Sequence, residues 1–340
     1  MKVTLRDVAR QAGVSNATAS KALNSRGDVA EDTRDRVLRA ARTLGYGTRI
    51  ASNSILERPV INVLIDAMDP YYGVEVLRGL IAEGQKQGVD VIPHIETAET
   101  SVSSMDEWER LHLTSRTIGI VIVVLRSGSP IHEVARRRGL PVIVIDPYSM
   151  EKQGDITISS TNWQGGRDAT TMLIELGHRR IGVIAGPSHF VPGVERLYGY
   201  RTALDDHAIS WDQSLVVEGS YTFGSGFDAA EKLLDLASPP TAIFALSDRM
   251  ALGAIRALET RGKKVPRDIS IVGFDNSPGS ELVTPALTTV GQPLASMGRV
   301  AVSTIQSLRE GTRLHTHTFQ LATTLIERAS CAPPRYAEAM

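Results

Sequence analysis

From Val60 to near the C-terminus, short apolar runs recur with amphipathic stretches between them, and this alternation restricts the fold more than any other feature. The runs cover residues 60–65, 89–93, 119–124 and 142–145, then 181–185, 215–217, 242–245 and 269–273. Each is nearly continuous Val, Ile, Leu and Ala, which suits a parallel strand covered on both faces. The stretches between them have the length and periodicity of helical crossovers. Two such series imply two doubly wound halves, an α/β architecture with two parallel sheets. In open sheets of this kind ligands bind beyond the carboxyl ends of the strands. The residues that follow the strands are Asp66, Arg126, Asp146, Ser247-Asp248 and Asp275. Short polar side chains converging on one cleft suit a hydroxyl-rich ligand, because carboxylates accept hydrogen bonds from neighbouring OH groups. Any single Asp of this set also reads as a loop cap or turn former.

Residues 4–24, TLRDVARQAGVSNATASKALN, differ in kind. Leu5, Val8, Ala9 and Ala12 have the spacing of a helical stripe, and Gly13-Val14 interrupts it. Ser15 is placed to cap a second helix in which Ala19, Ala22 and Leu23 form an apolar arc. Asn16, Ala17, Ser20, Lys21 and Asn24 fall on the opposite arc. The pattern predicts either a helix-turn-helix with its polar face in a DNA major groove or an ordinary helical hairpin. A third helix is expected over residues 31–44, with Val37, Ala40, Ala41 and Leu44 completing a small core. Charge favours the DNA reading. Residues 1–58 hold 11 Lys/Arg against 6 Asp/Glu, while the remainder holds 26 against 32. The single cysteine, Cys331, permits no intramolecular disulfide. A polar N-terminus without an apolar signal core, and no apolar run of about 18 residues, predict a cytoplasmic protein.

The segment from Asp7 to Ser20 reads D-V-A-x-x-A-G-V-S-x-x-T-x-S and continues through Val29, Thr33, Arg34, Val37 and Leu44-Gly45-Tyr46. It resembles the opening of the lactose-repressor (LacI/GalR) family of bacterial transcriptional regulators, and the similarity resumes along the body. The resemblance implies an N-terminal all-α helix-turn-helix domain (1–46), a hinge (47–59) and a two-lobed body like that of periplasmic binding proteins (60–340). Lobe 1 would comprise about 60–158 and 291–322, and lobe 2 about 159–290 and 323–332. Residues 294–308 and 316–326 would be a helix and a strand returning to the first half. Asn16, Ala17 and Lys21 would face base edges, since Asn suits adenine, Lys guanine and Ala a thymine methyl. Ser15, Thr18, Ser20, Asn24 and Thr33 would contact phosphate. Ser52 and Ile55 would lie in the minor-groove hinge, where an apolar side chain wedges between base pairs. The family's Pro-Asn hinge start is Thr48-Arg49 here, Ser52 replaces a customary Ala, and Ala30 stands where a Ser usually caps the third helix. A flexible tether is the alternative for this segment. Tetramers in the family use a C-terminal coil, and residues 329–340 show no heptads, so a homodimer on a pseudo-palindromic operator is expected. The tail from Ala332 to Pro334 is expected to be loose.

For the cleft, the resemblance adds Arg196 as a contact reaching the effector, Asp275 as its acidic counterpart, Asp146, and Tyr221 as a ring that stacks on a sugar. Tyr72 is a candidate second stacking face. Arg196 with Asp275 could instead be a structural ion pair, and the tyrosines could be core. Ser247 stands where some relatives have Asn, and Thr161-Asn162 replaces a frequent Asp-Asn. The effector set is therefore Asp66, Tyr72, Arg126, Asp146, Arg196, Tyr221, Ser247, Asp248 and Asp275. The function implied is a repressor of carbohydrate-utilisation genes, released from its operator by a sugar-like effector. A purine-type co-repressor would reverse the sign.

Other classes have weaker support. Residues 224–229, GSGFDA, fit the G-x-G-x-x-A dinucleotide fingerprint, with Asp248 about twenty residues on. An NAD-dependent enzyme rests on that match alone, and a transporter's solute-binding protein would have no use for the N-terminal module. No nucleophile elbow or metal-ligand spacing is present, so no catalytic residue, metal or cofactor is expected. His178, after Leu176-Gly177, sits at a helix end where a cation suits the dipole.

Overall fold

The computed structural model describes residues 4–23, 29–44, 58–66, 70–96, 105–124, 131–148 and 155–335. The chain divides into two compact units, Met1–Pro59 and Val60–Met340.

The first unit contains α1 (Leu5–Ala12), α2 (Asn16–Leu23) and α3 (Glu31–Leu44). Thr4 starts α1 by donating its backbone N–H and its hydroxyl to the Asp7 carboxylate, at 2.9 and 2.7 Å. Gly13 ends the helix with φ +64°, a left-handed conformation that glycine adopts without steric penalty. Two residues later the Ser15 hydroxyl accepts the Thr18 amide at 3.1 Å and caps α2, as its sequence position suggests. Val8, Ala9, Ala12, Ala19, Ala22, Val37, Ala40 and Ala41 form the core. Ala30 contributes only its carbonyl to the start of α3, accepting the Thr33 and Arg34 amides.

The second unit carries two six-stranded sheets. Chain order is β1 (Val60–Asp66), α4 (Pro70–Gln87), β2 (Asp90–Glu96), α5 (Met105–His112), β3 (Thr117–Val123), α6 (Ile131–Arg138), β4 (Val142–Ile145) and β5 (Ile156–Ser160). Then follow α7 (Asn162–Glu175), β6 (Ile181–Ala185), α8 (Val191–Asp206), β7 (Val216–Glu218), α9 (Phe223–Leu234), β8 (Ala242–Ala245), α10 (Asp248–Thr260) and β9 (Ser270–Asp275). The chain closes with α11 (Gly279–Leu282), β10 (Thr288–Gly291), α12 (Leu294–Arg309), β11 (Thr318–Leu321) and β12 (Thr324–Ile326). The first sheet runs β11-β5-β4-β3-β1-β2 and is wholly parallel. The second runs β12-β10-β9-β8-β6-β7, and only β12 is antiparallel.

The apolar runs are continuous because both faces of the first sheet are covered. Ile61, Val63 and Ile65 pack with Val76 and Leu80 of α4 and with Met297, Ala301 and Ile305 of α12. Leu64, Ile120, Ile122 and Val144 point the other way, against Trp108, Ile131 and Val134. Each such side chain contributes roughly 1.5–3 kcal/mol when removed from water.

Four corrections follow. Strand β5, which begins with Ile156, lies outside the predicted runs. Residues 316–326 form two strands, not one: β11 pairs with β5 in the first sheet and β12 with β10 in the second. The tail is tied down rather than loose at Ala332, whose N–H donates to the Ser270 hydroxyl and whose carbonyl lies 3.0 Å from His178 Nε2. His178 is itself buried, with ring nitrogens against Thr241, Ser270 and Ala332. Burial lowers its pKa, which disfavours the helix-end cation that its position suggested.

Candidate functional site

The candidate residues lie on two surfaces. On the first unit, the apolar arc of α2 is spent on the core, Ala19 and Ala22 being buried. Asn16, Ala17 and Lys21 are exposed, and Thr18, Ser20 and Thr33 are half-buried. The Ser15 hydroxyl lies 2.8 Å from that of Thr18. Asn24, Ser52 and Ile55 lie outside the described residues.

On the second unit, the strand ends of both sheets face one cleft, which encloses about 910 Å³ including its open mouth. That is the size range of small-molecule sites. Of the nine cleft candidates, Tyr72, Asp146, Arg196, Tyr221, Ser247 and Asp275 line this space. Arg126 and the Asp66 side chain lie outside the described residues, although the Asp66 backbone ends β1.

Asp248 does not line the cleft. It is fully buried at the start of α10, where its two carboxylate oxygens accept the Thr289 hydroxyl at 2.5 Å and the Ser277 amide at 2.6 Å. It braces the loop after β9, and burial raises its pKa to about 6. Its neighbour Ser247 faces the cleft while its hydroxyl caps α10 through the Met250 amide.

The charged part of the cleft is compact. Asp146 is 1% exposed; its Oδ2 accepts the Tyr72 hydroxyl at 2.5 Å, and its Oδ1 has no partner. Burial raises the Asp146 pKa despite the Tyr72 hydrogen bond, the nearby Arg196 and the Ser160 backbone N–H, which approaches the carboxylate without reaching hydrogen-bond geometry at Oδ1. Burial and the Asp146 charge together push Tyr72 well up. Arg196, 3% exposed, donates from Nε to Asn162 Oδ1 and from Nη1 to the Leu246 carbonyl, each at 2.8 Å. Its Nη1 lies 3.5 Å from Asp275 Oδ1, and its guanidinium sits 3.8 Å from the centre of the Phe274 ring. The ion pair and the cleft position are therefore two aspects of one arrangement.

This cluster is joined to the crossovers between the sheets. Ser160, at the end of β5, donates to Gln292 Oε1 at 2.7 Å, and Gln292 Nε2 donates to Asp275 Oδ1 at 2.7 Å. Asn162 Nδ2 returns to the Ser160 carbonyl at 3.2 Å. The connection between β11 and β12 is tied to that between β5 and α7 by the Thr323 amide, which donates to the Thr161 hydroxyl at 2.9 Å.

Aromatic residues build the remaining wall. Phe190 packs edge-on against Tyr221 with ring centres 5.3 Å apart, and Tyr148 lies 5.8 Å from Phe190. The Tyr148 hydroxyl is 2.5 Å from His189 Nε2. The Tyr221 hydroxyl is buried without a partner, so close to Gly186 and Gly193 that a Cβ on either would fall 2.2 or 2.1 Å from it. Four cleft residues have positive φ: Val124 +49°, Asp146 +48°, Tyr221 +59° and Asp275 +116°. Such conformations cost on the order of 1–3 kcal/mol each and concentrate at functional sites. Asn162, Gln292, Tyr148, His189 and Phe190 were not among the candidates. Their nearest sequence signal is position beside a strand end or crossover.

The dinucleotide fingerprint has another explanation. Residues 224–229 lie within α9, whose start is capped by the Thr222 hydroxyl accepting the Ser225 amide. Gly226 lets α9 approach α10, since a Cβ there would fall 2.2 Å from the Met250 carbonyl oxygen. Among the described residues no group of three or more His, Cys, Asp or Glu could hold a metal ion. No described helix is long and apolar enough to cross a membrane.

Comparison with known proteins gives a family match in each of the two units. Residues 4–48 match the family model described as bacterial regulatory proteins, lacI family, and residues 170–331 match that of a periplasmic binding protein-like domain. The HTH-type transcriptional regulator CelR of Thermobifida fusca is 35% identical over 308 residues, covering 87% of this chain and 88% of the relative. The HTH-type transcriptional repressor CytR of Escherichia coli strain K12 is 34% identical over 313 residues, covering 91% and 90%. Among solved structures, a CelR–cellobiose complex matches with a TM-score of 0.72 at 30% identity, covering 97% of this chain and all of that one. A lac repressor dimer bound to operator and the anti-inducer ONPF matches with a TM-score of 0.75 at 26% identity, covering 98% and 100%.

Proposed function

The chain belongs to the lacI family of bacterial regulatory proteins, and from that premise we propose that it is a cytoplasmic, homodimeric repressor whose cleft binds a sugar-like effector. It is a DNA-binding transcriptional regulator, like its relatives. The observation that carries the effector reading is the unpartnered, buried Asp146 Oδ1 beside the Arg196–Asp275 pair. A buried acceptor left unpaired costs about 1–3 kcal/mol, and a ligand hydroxyl donating to it recovers that.

On DNA, Asn16, Ala17 and Lys21 read base edges, while Ser15, Thr18, Ser20 and Thr33 contact phosphate. One such module offers little contact area, so tight specific binding takes two half-sites and a two-fold dimer. Asn24, Ser52 and Ile55 belong to the same proposal at the groove edge and the hinge. In the body, ligand hydroxyls bond to Asp146, Asp275 and Arg196, with Tyr221 and Tyr72 against the ring. Closing the lobes acts on the crossovers through Gln292, Ser160 and Asn162. Because coupling between two sites is reciprocal, effector and operator weaken each other's binding by the same factor, typically 5- to 150-fold.

A thermal-shift screen of the purified full-length protein against sugars, nucleosides and purines tests this. The proposal expects a stabilising sugar or sugar-like compound whose effect disappears in Asp275→Ala. An undiminished shift in that variant removes the cleft assignment.

A further inference from the structure

We propose that Tyr148 and His189 form a latch across the cleft, holding the two lobes of the second unit together before an effector adds its own contacts. The inference rests on the reading that lobe closure carries the effector signal. It adds a contribution to closure that the protein makes itself.

The two residues belong to opposite lobes. Tyr148 follows β4 of the first sheet, and His189 lies between β6 of the second sheet and α8. The Tyr148 hydroxyl stands 2.5 Å from His189 Nε2, and the two ring centres are 5.0 Å apart. A phenol hydroxyl donates to a neutral imidazole nitrogen, so the bond needs no charge on either side. The lobes also meet where the Tyr71 hydroxyl of α4 donates to the Asn276 carbonyl, just after β9, at 3.1 Å. The bonds through Ser160, Asn162, Gln292 and Thr323 lie on the crossovers, which the chain keeps joined however far the lobes open. Tyr148 and His189 lie on none of the crossovers, so their bond is one that opening breaks.

Each partner is positioned by its own lobe, which reduces the entropy lost when the two meet. Asp146, two residues before Tyr148, accepts the Tyr72 hydroxyl of α4 and donates its backbone N–H to the Ile158 carbonyl of β5. On the other side, the Phe190 amide donates to the Pro187 carbonyl at 3.0 Å and closes the turn that carries His189. Phe190 itself packs on Tyr221 and on Tyr148. His189 is exposed and Tyr148 half-buried, so water can replace the bond when it breaks and neither group is left desolvated. That makes the contact reversible. One net hydrogen bond with a ring contact shifts an open–closed balance by about tenfold. Apparent affinity scales with the fraction of protein that is binding-competent, so every ligand of the closed cleft feels that shift.

Pulsed electron-resonance distance measurement on the full-length protein tests the latch. Nitroxides are placed at Glu133→Cys, near the start of α6, and Glu218→Cys, at the end of β7, both exposed and on opposite lobes. Cys331 stays in place, because burial pushes its thiol pKa up to about 11 and makes it a poor nucleophile. Dilution into excess unlabelled protein leaves each labelled dimer with labels in one copy. The labelled parent should show mainly one distance. Tyr148→Phe and His189→Leu should each raise the ratio of a longer distance to the parent distance about tenfold, and the two variants guard against misfolding of either. His189→Gln, whose amide oxygen can accept from Tyr148, should stay within twofold of the parent. Unchanged distances in Tyr148→Phe and His189→Leu overturn the latch, as does a His189→Gln protein as open as His189→Leu. Either result leaves the cleft reading to the Asp275→Ala comparison, which follows ligand-induced melting and not lobe distance.

Discussion

Arg196 Nη1 and Asp275 Oδ1 stand 3.5 Å apart at the end of a hydrogen-bonded ring that runs through Asn162, Ser160 and Gln292. Asn162 and Ser160 belong to the crossover between β5 and α7, and Gln292 to the one between β10 and α12. The pair that faces the cleft is thus bonded to the segments about which the two sheets would pivot. Buried polar networks of this kind hold one arrangement when fully satisfied and are sensitive to loss of any member.

Gln292→Leu tests that arrangement. It removes one hydrogen bond from the Ser160 hydroxyl and one from Asp275 Oδ1, at about 1–3 kcal/mol. The variant should melt several degrees lower and show a weaker effect of ligand on operator affinity, measured by anisotropy of a labelled duplex. Unchanged coupling would mean that the ring is only a structural brace.

Lys21→Ala should lose about 1–3 kcal/mol of specific operator affinity at fixed salt, the usual worth of one base contact. Ligand affinity of the body should stay the same in calorimetry. An unaltered operator affinity would exclude Lys21 from base reading.

Asp146→Asn gives a pH signature. Burial raises the Asp146 pKa above its ordinary 3.8, so the folded state holds this proton more tightly than the unfolded chain. The stability associated with it is fully present below 3.8 and is lost as pH rises through the folded-state value. The variant should therefore melt higher than the parent at pH 7 and no higher at pH 3, with weaker ligand binding at neutral pH. Equal melting differences at both pH values would contradict the assignment.

Gly226→Ala separates helix packing from cofactor binding. The added Cβ would fall 2.2 Å from the Met250 carbonyl oxygen, so α9 and α10 must move apart. Overpacking of this kind costs about 1–3 kcal/mol, seen as a lower melting temperature. The parent should give no change in NADH fluorescence on mixing. A fluorescence change lost in the variant would revive the dinucleotide reading.

Much of this was legible because parallel strands covered on both faces leave a periodicity that is hard to mistake. The run 119–124 gave β3, and the rule that ligands gather at strand ends gave Asp146 and Asp275. The same rule misplaced Asp248, since nothing local distinguishes a carboxylate that lines a cleft from one that turns inward to Thr289 and Ser277. Strand β5 was missed because ITISS is short and half polar, its side chains alternating between buried and half-buried. Phe190 and Tyr148 escaped notice because apolar residues in loops look like core, and only tertiary structure turns them toward open space. Gln292 carries no sequence signal at all, being one amide between Gly291, the last residue of β10, and Pro293, which precedes α12. Arg196 was reached only through family resemblance; its helix position is buried and would otherwise read as an anomaly.

The central claim is that residues 4–44 read DNA sequence as a symmetric pair. Selection of the full-length protein against a randomised duplex pool, followed by anisotropy titration of the enriched sequence, tests it most directly. The account predicts enrichment of an inverted repeat that binds at least a thousandfold tighter than a scrambled duplex, in the range usual for specific over non-specific binding, with that preference reduced in Lys21→Ala. A pool that emerges without a shared sequence, or duplexes bound equally whatever their sequence, would contradict it.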